Sequence, residues 1–363
     1  MEVNGQRTLV RAIAAMADVV DGTIALDKKE LTDAPLAARR AAGLRIIPFE
    51  RNVEGLSLTS SLWKNWAARD ILIENGRISA IGNDFAALPD AVMIDGKDRL
   101  VMPGLINAHT HSSETFFRGR YEGMPLEIWL LYAYPLLMGP AIGQRLLYLR
   151  SMLLAMDSLR NGVTTLCDDF FDPPARDLSR LSTVFKAYKD AGIRANVSSA
   201  AMNIHTLDAL PYAREVMPQE LQDALDFGPP MSADAYMDYC RSAFSSLHGT
   251  AGRINFMIAP SAPQRCTPDL LQACHELAVE MGVPLHTHVL ETKTQAVTGP
   301  EFYGKSLIAY MHDLGILSRN TQLHILCGSA KRTLKRWAMR VVPLRIMLFP
   351  IRNLVLALRP FVN

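Results

Sequence analysis

Leu100-Val101-Met102-Pro103-Gly104-Leu105-Ile106-Asn107-Ala108-His109-Thr110-His111 runs an apolar strand straight into a pair of histidines. A strand sends alternate side chains to one face, so His109 and His111 point together and Thr110 points away. Two imidazoles at that spacing can grip one metal ion, although the same pattern also occurs on a strand with a solvated face. Context separates the two readings. The pair follows an apolar run and a Pro-Gly break, the place where loops at the carboxyl end of a barrel strand carry chemistry. A second cluster, His286-Thr287-His288-Val289-Leu290-Glu291, ends another apolar strand that starts at Val283.

Between and around these clusters, strands and helices alternate. Strands are expected to begin near residues 100, 163, 193, 254, 284 and 321, the fifth running from Pro284 to Leu290 and the sixth from Thr321 to Leu326. Helices are expected over Ile142 to Arg160, with Leu146, Leu149, Leu153 and Met156 at helical spacing, and over Leu178 to Ala191, Ala233 to Leu247, Pro268 to Met281 and Gly304 to Leu314. Such alternation argues for a parallel sheet, and eight units close a barrel. Six strands take about 45 residues each, so two more units need about 90, where complete barrels use ~250 or more. Only 37 residues follow Leu326. The expected architecture is therefore an incomplete (β/α)8 TIM-type barrel over residues 100–326.

Before the barrel, Asp70 to Glu74 and Arg77 to Ile81 flank Asn75-Gly76, a dipeptide suited to a type I′ hairpin turn. Residues 66–99 form one segment on this reading. Residues 1–65 carry no assignable function beyond a short helix around Ala34 to Ala42.

Composition bounds the class. Of 363 residues, 49% are hydrophobic and 20% charged, enough for a large globular core. A net charge of +2 gives no reason to expect nucleic acid. Five cysteines without a CxxC pair, and a start without a signal-peptide core, point to a reducing cytoplasm. The apolar stretch Val341 to Leu358 contains Arg345, Arg352, Pro343 and Pro350, so no transmembrane helix is expected.

The stretch Val101 to His111 resembles the signature of the amidohydrolase superfamily, and His288 to Glu291 resembles its HxxE element. The nearest branch is the cytosine deaminase-like group, with deaminases and chlorohydrolases of heteroaromatic rings. The resemblance covers residues 69 to 322. It implies one divalent metal, zinc with iron as the alternative, held by His109, His111 and His288. It implies Glu291 as the catalytic proton shuttle and hydrolytic displacement of ammonia, an amine or chloride from a small heterocyclic substrate. It also implies that residues 66–99 belong to a small β-sandwich flanking the barrel. Phe117 and Trp129 are candidate pocket residues, with surface loop and core helix as the plainer readings. Ser261 stands where many deaminases of this branch carry a histidine, which leaves room for substrates other than purine nucleosides. A carbamylated lysine, and with it a binuclear site, is not expected. Hydrolysis of a cyclic amide or imidazolone on the same scaffold, and a non-catalytic remnant, are the alternative readings. Beyond the small-molecule substrate, the partner the sequence leaves open is a second copy of the chain, in a homo-oligomer.

The family pattern also places a metal-polarising histidine at the end of strand six and an aspartate at the end of strand eight. His324 falls one residue before the expected histidine, and the aspartate's strand is missing. After Asp313 the chain carries nine Lys or Arg and no acid, leaving 29 basic against 36 acidic residues before it. One base inserted after Leu323 permits the Ala-His-x-x-Trp pattern of the family, so residues 327–363 are expected to be an aberrant, frameshifted tail. The competing reading is a basic, apolar tail for anionic surfaces.

Overall fold

The computed structural model describes residues 44–48, 70–74, 77–82, 99–121, 123–134, 142–172, 177–226 and 231–324. The expected helix at Ala34 to Ala42, the Asn75-Gly76 turn, Val341 to Leu358 and the tail 327–363 lie outside them. The described residues fall into two compact units. One takes residues up to 107 with 152–166 and 187–194, and the other takes 108–151, 167–186 and 195 onward.

In the first unit, β1 (Leu44–Pro48) pairs antiparallel with β4 (Arg99–Pro103), and β2 (Asp70–Glu74) pairs antiparallel with β3 (Arg77–Gly82). The hairpin is the one expected from its alternating residues. Strand β1 was not, because Leu44 to Pro48 carries no turn chemistry linking it to a partner more than fifty residues away. Gly104, just after β4, is required by close approach: a Cβ there would lie 2.1 Å from the Thr164 hydroxyl oxygen.

Six further strands follow, the first and fifth of which run into the histidine motifs. They are β5 (Leu105–Thr110), β6 (Val163–Asp168), β7 (Arg194–Val197), β8 (Ile254–Phe256), β9 (Leu285–His288) and β10 (Thr321–His324). Four pair in the order β5-β6-β7-β8, and β9 pairs with β10. The β7–β8 and β9–β10 ladders are parallel. A parallel bridge between Ile258 and Leu285, with the His286 N–H donating to the Ile258 carbonyl at 2.8 Å, carries the succession from β8 to β9. Five of the six start within a residue of the expected positions; the first was expected near residue 100, but residues 99–103 form β4 on β1, and β5 starts at Leu105. Strand β9 is shorter than expected: it stops at His288, and Leu290 turns the chain with φ of 55°, left-handed backbone that a branched residue rarely takes. In β10 the ladder stays in register to its last residue, where position 324 stands opposite His288.

The helices are α1 (Leu126–Ala133), α2 (Gln144–Arg160), α3 (Leu178–Ala191), α4 (Ala213–Val216), α5 (Gln219–Ala224), α6 (Ala233–Leu247), α7 (Pro268–Met281), α8 (Lys293–Tyr303) and α9 (Leu307–Asp313). Three of them, α3, α6 and α7, match the expected bounds. In α7, Pro268 opens the helix and Gly282, at φ of 66°, closes it, while Leu270, Leu271, Cys274, Leu277 and Ala278 form its buried stripe. Helix α2 forms as expected but buries the opposite face: Leu146, Leu149, Leu153 and Met156 are exposed, whereas Leu147, Ser151, Ala155, Ser158 and Leu159 are buried. Cys167, Cys240, Cys266 and Cys274 are free thiols, all buried. Among the described residues no helix is long and apolar enough to cross a membrane.

Candidate metal centre

The second unit brings together the ends of β5 and β9. Ligand atoms of His109, His111 and His288 all lie within 4.8 Å of one another. Each ring has its Nδ1 engaged. That of His111 donates to the Asp169 carbonyl at 2.6 Å, and that of His288 donates to the Ser261 carbonyl at 3.0 Å. The His109 Nδ1 faces the His286 Nε2 at 3.0 Å. A carbonyl can only accept, so Nδ1 of His111 and of His288 carries a proton, and in the neutral ring Nε2 carries the lone pair. Those two Nε2 atoms face each other at 3.3 Å. Two neutral rings at that distance would set lone pair against lone pair, so either a proton on one Nε2 or a metal ion between them joins the pair. A tetrahedral site with Zn–N bonds of ~2.0–2.1 Å has ligand nitrogens about 3.3–3.4 Å apart. The donor set and the spacing of this pair therefore fit a divalent ion, and the carbonyls on Nδ1 are the kind of acceptor that orients a ligating histidine.

The surrounding field also favours a cation. Burial works against a charged His111, yet Glu114, Asp169 and Asp168 together, with the Asp169 carbonyl, hold its pKa up at about 9. Asp169 itself is pushed up to about 6 by burial, against the pull of His111 and a hydrogen bond from Ser198. Its second carboxylate oxygen lies 3.7 Å from the His288 Nδ1. Asp168 accepts the Ser112 N–H at 2.7 Å, which fixes the chain just after His111. Neither aspartate was singled out in the sequence. The signal was there in Asp168-Asp169, which ends an apolar strand just as the histidine pair does.

Glu291 is half-buried beyond the end of β9. It was expected one strand step past His288; the Leu290 turn instead takes it off the strand and onto the approach to α8. Its N–H donates to the Gln295 side chain at 3.0 Å. Burial raises its pKa, while the charges of Arg265 and His111 draw it back. Thr292 caps α8 and donates to the Glu127 carboxylate on α1.

The remaining candidates take differing places. His286 is fully buried and stacks on His109, with ring centroids 5.1 Å apart. Ser261 spends its carbonyl on His288, and its hydroxyl accepts from Arg265 at 3.3 Å. Phe117 and Trp129 meet in an aromatic cluster through Tyr134, at 6.3 and 6.0 Å between ring centroids. The Tyr134 hydroxyl donates to Ser113 at 2.9 Å, next to Glu114. Tyr134, Glu114 and Arg265 were not foreseen, since only folding brings them to the histidines.

The sequence profile of the amidohydrolase family matches residues 100–325. A 5-methylthioadenosine/S-adenosylhomocysteine deaminase of Symbiobacterium thermophilum is 34% identical over 253 residues, 68% of this chain and 50% of that one. A 5'-deoxyadenosine deaminase of Methanocaldococcus jannaschii is 29% identical over 260 residues, 71% of this chain and 54% of that one. The chain thus spans about half the length of the curated relatives it matches. Among solved structures, a zinc complex of an atrazine chlorohydrolase from Arthrobacter aurescens superposes with a TM-score of 0.62 at 22% identity, over 76% of this chain and 59% of that one.

Proposed function

The chain belongs to the amidohydrolase family, and from that premise we propose that it is a mononuclear metal-dependent hydrolase acting on a non-peptide C–N bond, or a related leaving group, of a small heterocycle. The observation that carries this reading is the cluster of His109, His111 and His288, whose ligand atoms lie within 4.8 Å of one another, with the Nε2 atoms of His111 and His288 facing at 3.3 Å. His109, His111 and His288 would hold the ion, zinc on the strength of three imidazole donors, with iron the alternative. Such an ion supplies Lewis acidity and brings water toward ionisation near neutral pH, to a pKa of ~7.

The protein's own groups do the rest. Asp169 and Ser261, through their carbonyls, orient His111 and His288. His286 supports His109 from the buried side. Glu291 takes one proton from the attacking water and passes it to the ring nitrogen beside the carbon under attack, then carries the remaining hydroxyl proton to the exocyclic nitrogen, so that this group departs as ammonia or amine and the carbon keeps the oxygen as a carbonyl. The aromatic cluster of Phe117, Trp129 and Tyr134 offers flat apolar faces for a planar ring. The barrel assignment of residues 100–326 and the sandwich role of 66–99 belong to the same reading, as does a cytoplasmic setting.

Elemental analysis of the soluble 363-residue chain, beside an assay of ammonia release from aminated pyrimidines, purines and triazines, tests the proposal. One equivalent of metal, absent in His288→Ala, is the expected result. A wild-type chain that takes up no metal overturns it.

A further inference from the structure

Helix α1 is tied at both ends to segments that leave the histidine strands. It buries Ala133 but leaves Ile128, Leu131 and Tyr132 exposed, so polar ties do much of the holding. At its far end the Tyr134 hydroxyl donates to Ser113 at 2.9 Å, two residues past His111, and the Tyr134 ring packs edge-on against Phe171 with centroids 5.0 Å apart. At its start the Glu127 carboxylate accepts the Thr292 hydroxyl proton at 2.5 Å, one residue past Glu291. Positions 127 and 134 are separated by about 10 Å of helix rise, a rigid spacer. The turn that carries Glu291 needs such a tie. Leu290 holds left-handed backbone at φ of 55°, a conformation that persists only where its surroundings fix it. Downstream, Thr292 and Gln295 form a capping pair: the Thr292 hydroxyl oxygen accepts the Gln295 N–H at 3.2 Å, and the Gln295 side chain accepts the Glu291 N–H at 3.0 Å. A hydroxyl has one proton, and with its oxygen turned to the Gln295 N–H that proton goes to Glu127. Burial pushes the Glu127 carboxyl up, but hydrogen bonds from Thr292, its own backbone N–H and Thr294, with the charge of Arg265, bring it below its ordinary value, so it stays an acceptor at neutral pH.

We propose that Glu127 is a positioning residue: through Thr292 it locks the turn carrying Glu291 to α1, and α1 in turn to the chain just after His111. The inference rests on the function just proposed, in which Glu291 moves the protons, and adds how that carboxyl is held relative to the histidines. Glu127 serves by accepting, so its side-chain oxygen matters more than its charge. Helix α1 is then a strut between the segment that follows one histidine pair and the turn that follows the other. Without the acceptor the Thr292 hydroxyl loses its partner, the capping pair is free to shift, and the left-handed turn at Leu290 relaxes. Glu291 then leaves its working position, and a displacement of about 1 Å at a reacting group costs on the order of 10²-fold in rate.

Two variants separate this role from a structural one. Glu127→Met keeps the length and helix preference of the side chain but removes the acceptor, whereas Glu127→Gln keeps an acceptor oxygen. The zinc-loaded 363-residue chain is assayed with the aminated ring it turns over fastest. Glu127→Met is expected to lower kcat about 10- to 100-fold with KM and metal content little changed, and Glu127→Gln to retain most of the wild-type kcat. In a Glu291→Gln background the Met substitution should cost less than about twofold, because nothing is left to position. Hydrogen exchange gives a readout without turnover: the Glu291 and Gln295 amides should exchange about tenfold faster in Glu127→Met, and those of β9 no faster. An unchanged kcat, a kcat loss that persists in the Glu291→Gln background, a loss confined to KM, or unchanged exchange at the two amides overturns the inference and leaves the hydrolase reading intact. Zinc uptake with no turnover of any ring overturns both.

Discussion

The tripeptide His-Thr-His ends β5 and recurs at the end of β9, and the two copies are used differently. Residues 109 and 286 stack at 5.1 Å, and residues 111 and 288 stack at 5.2 Å. In the deeper pair the His109 Nδ1 meets the His286 Nε2, so one ring supports the other. In the outer pair both Nδ1 atoms are drawn back to carbonyls, and the two Nε2 atoms converge. One motif thus contributes two members to the cluster and the other contributes one. Depth along the strand, and which backbone carbonyl each Nδ1 finds, decide the difference.

The sharpest way to break this comparison is to remove a member of the outer pair. His288→Ala should abolish metal uptake, measured by elemental analysis, and with it any turnover; His286→Gln, at the same strand end, should lower metal affinity by only about tenfold, the lower end of second-shell effects. Similar losses in the two variants would erase the distinction between the pairs. Next in size, Glu291→Gln should cut kcat by about 10²–10⁴ while leaving metal content unchanged, since the residue serves the substrate and not the ion. Asp169→Asn keeps the carbonyl that holds His111 but removes the carboxylate near His288. Metal affinity by chelator competition should fall about 10- to 100-fold, placing this effect between the inner and outer histidines.

The smallest effect concerns stability. Burial raises the Glu291 pKa above its ordinary value of 4.5, so the folded chain binds that proton more tightly than the unfolded chain does. Its contribution favours folding at low pH and is lost as pH climbs through the folded pKa. Glu291→Gln has no such loss. Thermal melts of the metal-free protein should therefore show the variant gaining on the wild type as pH rises above 4.5. Parallel melting curves across that range would mean that Glu291 is better solvated than its position implies.

Much of this protein follows from local pattern. The starts of five of the six strands β5 to β10, the bounds of α3, α6 and α7, and the shared face of His109 and His111 follow from periodicity, caps and motif spacing, because each depends on neighbours a few residues away, whereas the grouping of His288 with them was implied by the family resemblance. Even the support role of His286 is legible from its place two residues deeper in β9. Tertiary structure alone decided the rest. The leucines at helical spacing in α2 identify a helix, but which face is covered depends on partners distant in the chain, and the covered face carries Leu147, Ala155 and Leu159 instead. Strand period carried past its end puts Glu291 one step beyond His288, yet the left-handed turn at Leu290 takes it toward α8. Asp169 and Glu127 matter here only because β6 ends beside the histidines and α1 starts beside the turn after β9. Sequence specifies which side chains can bind an ion; the Nδ1 partners, the Asp169 and Ser261 carbonyls for His111 and His288 and the His286 ring for His109, determine which nitrogen faces it.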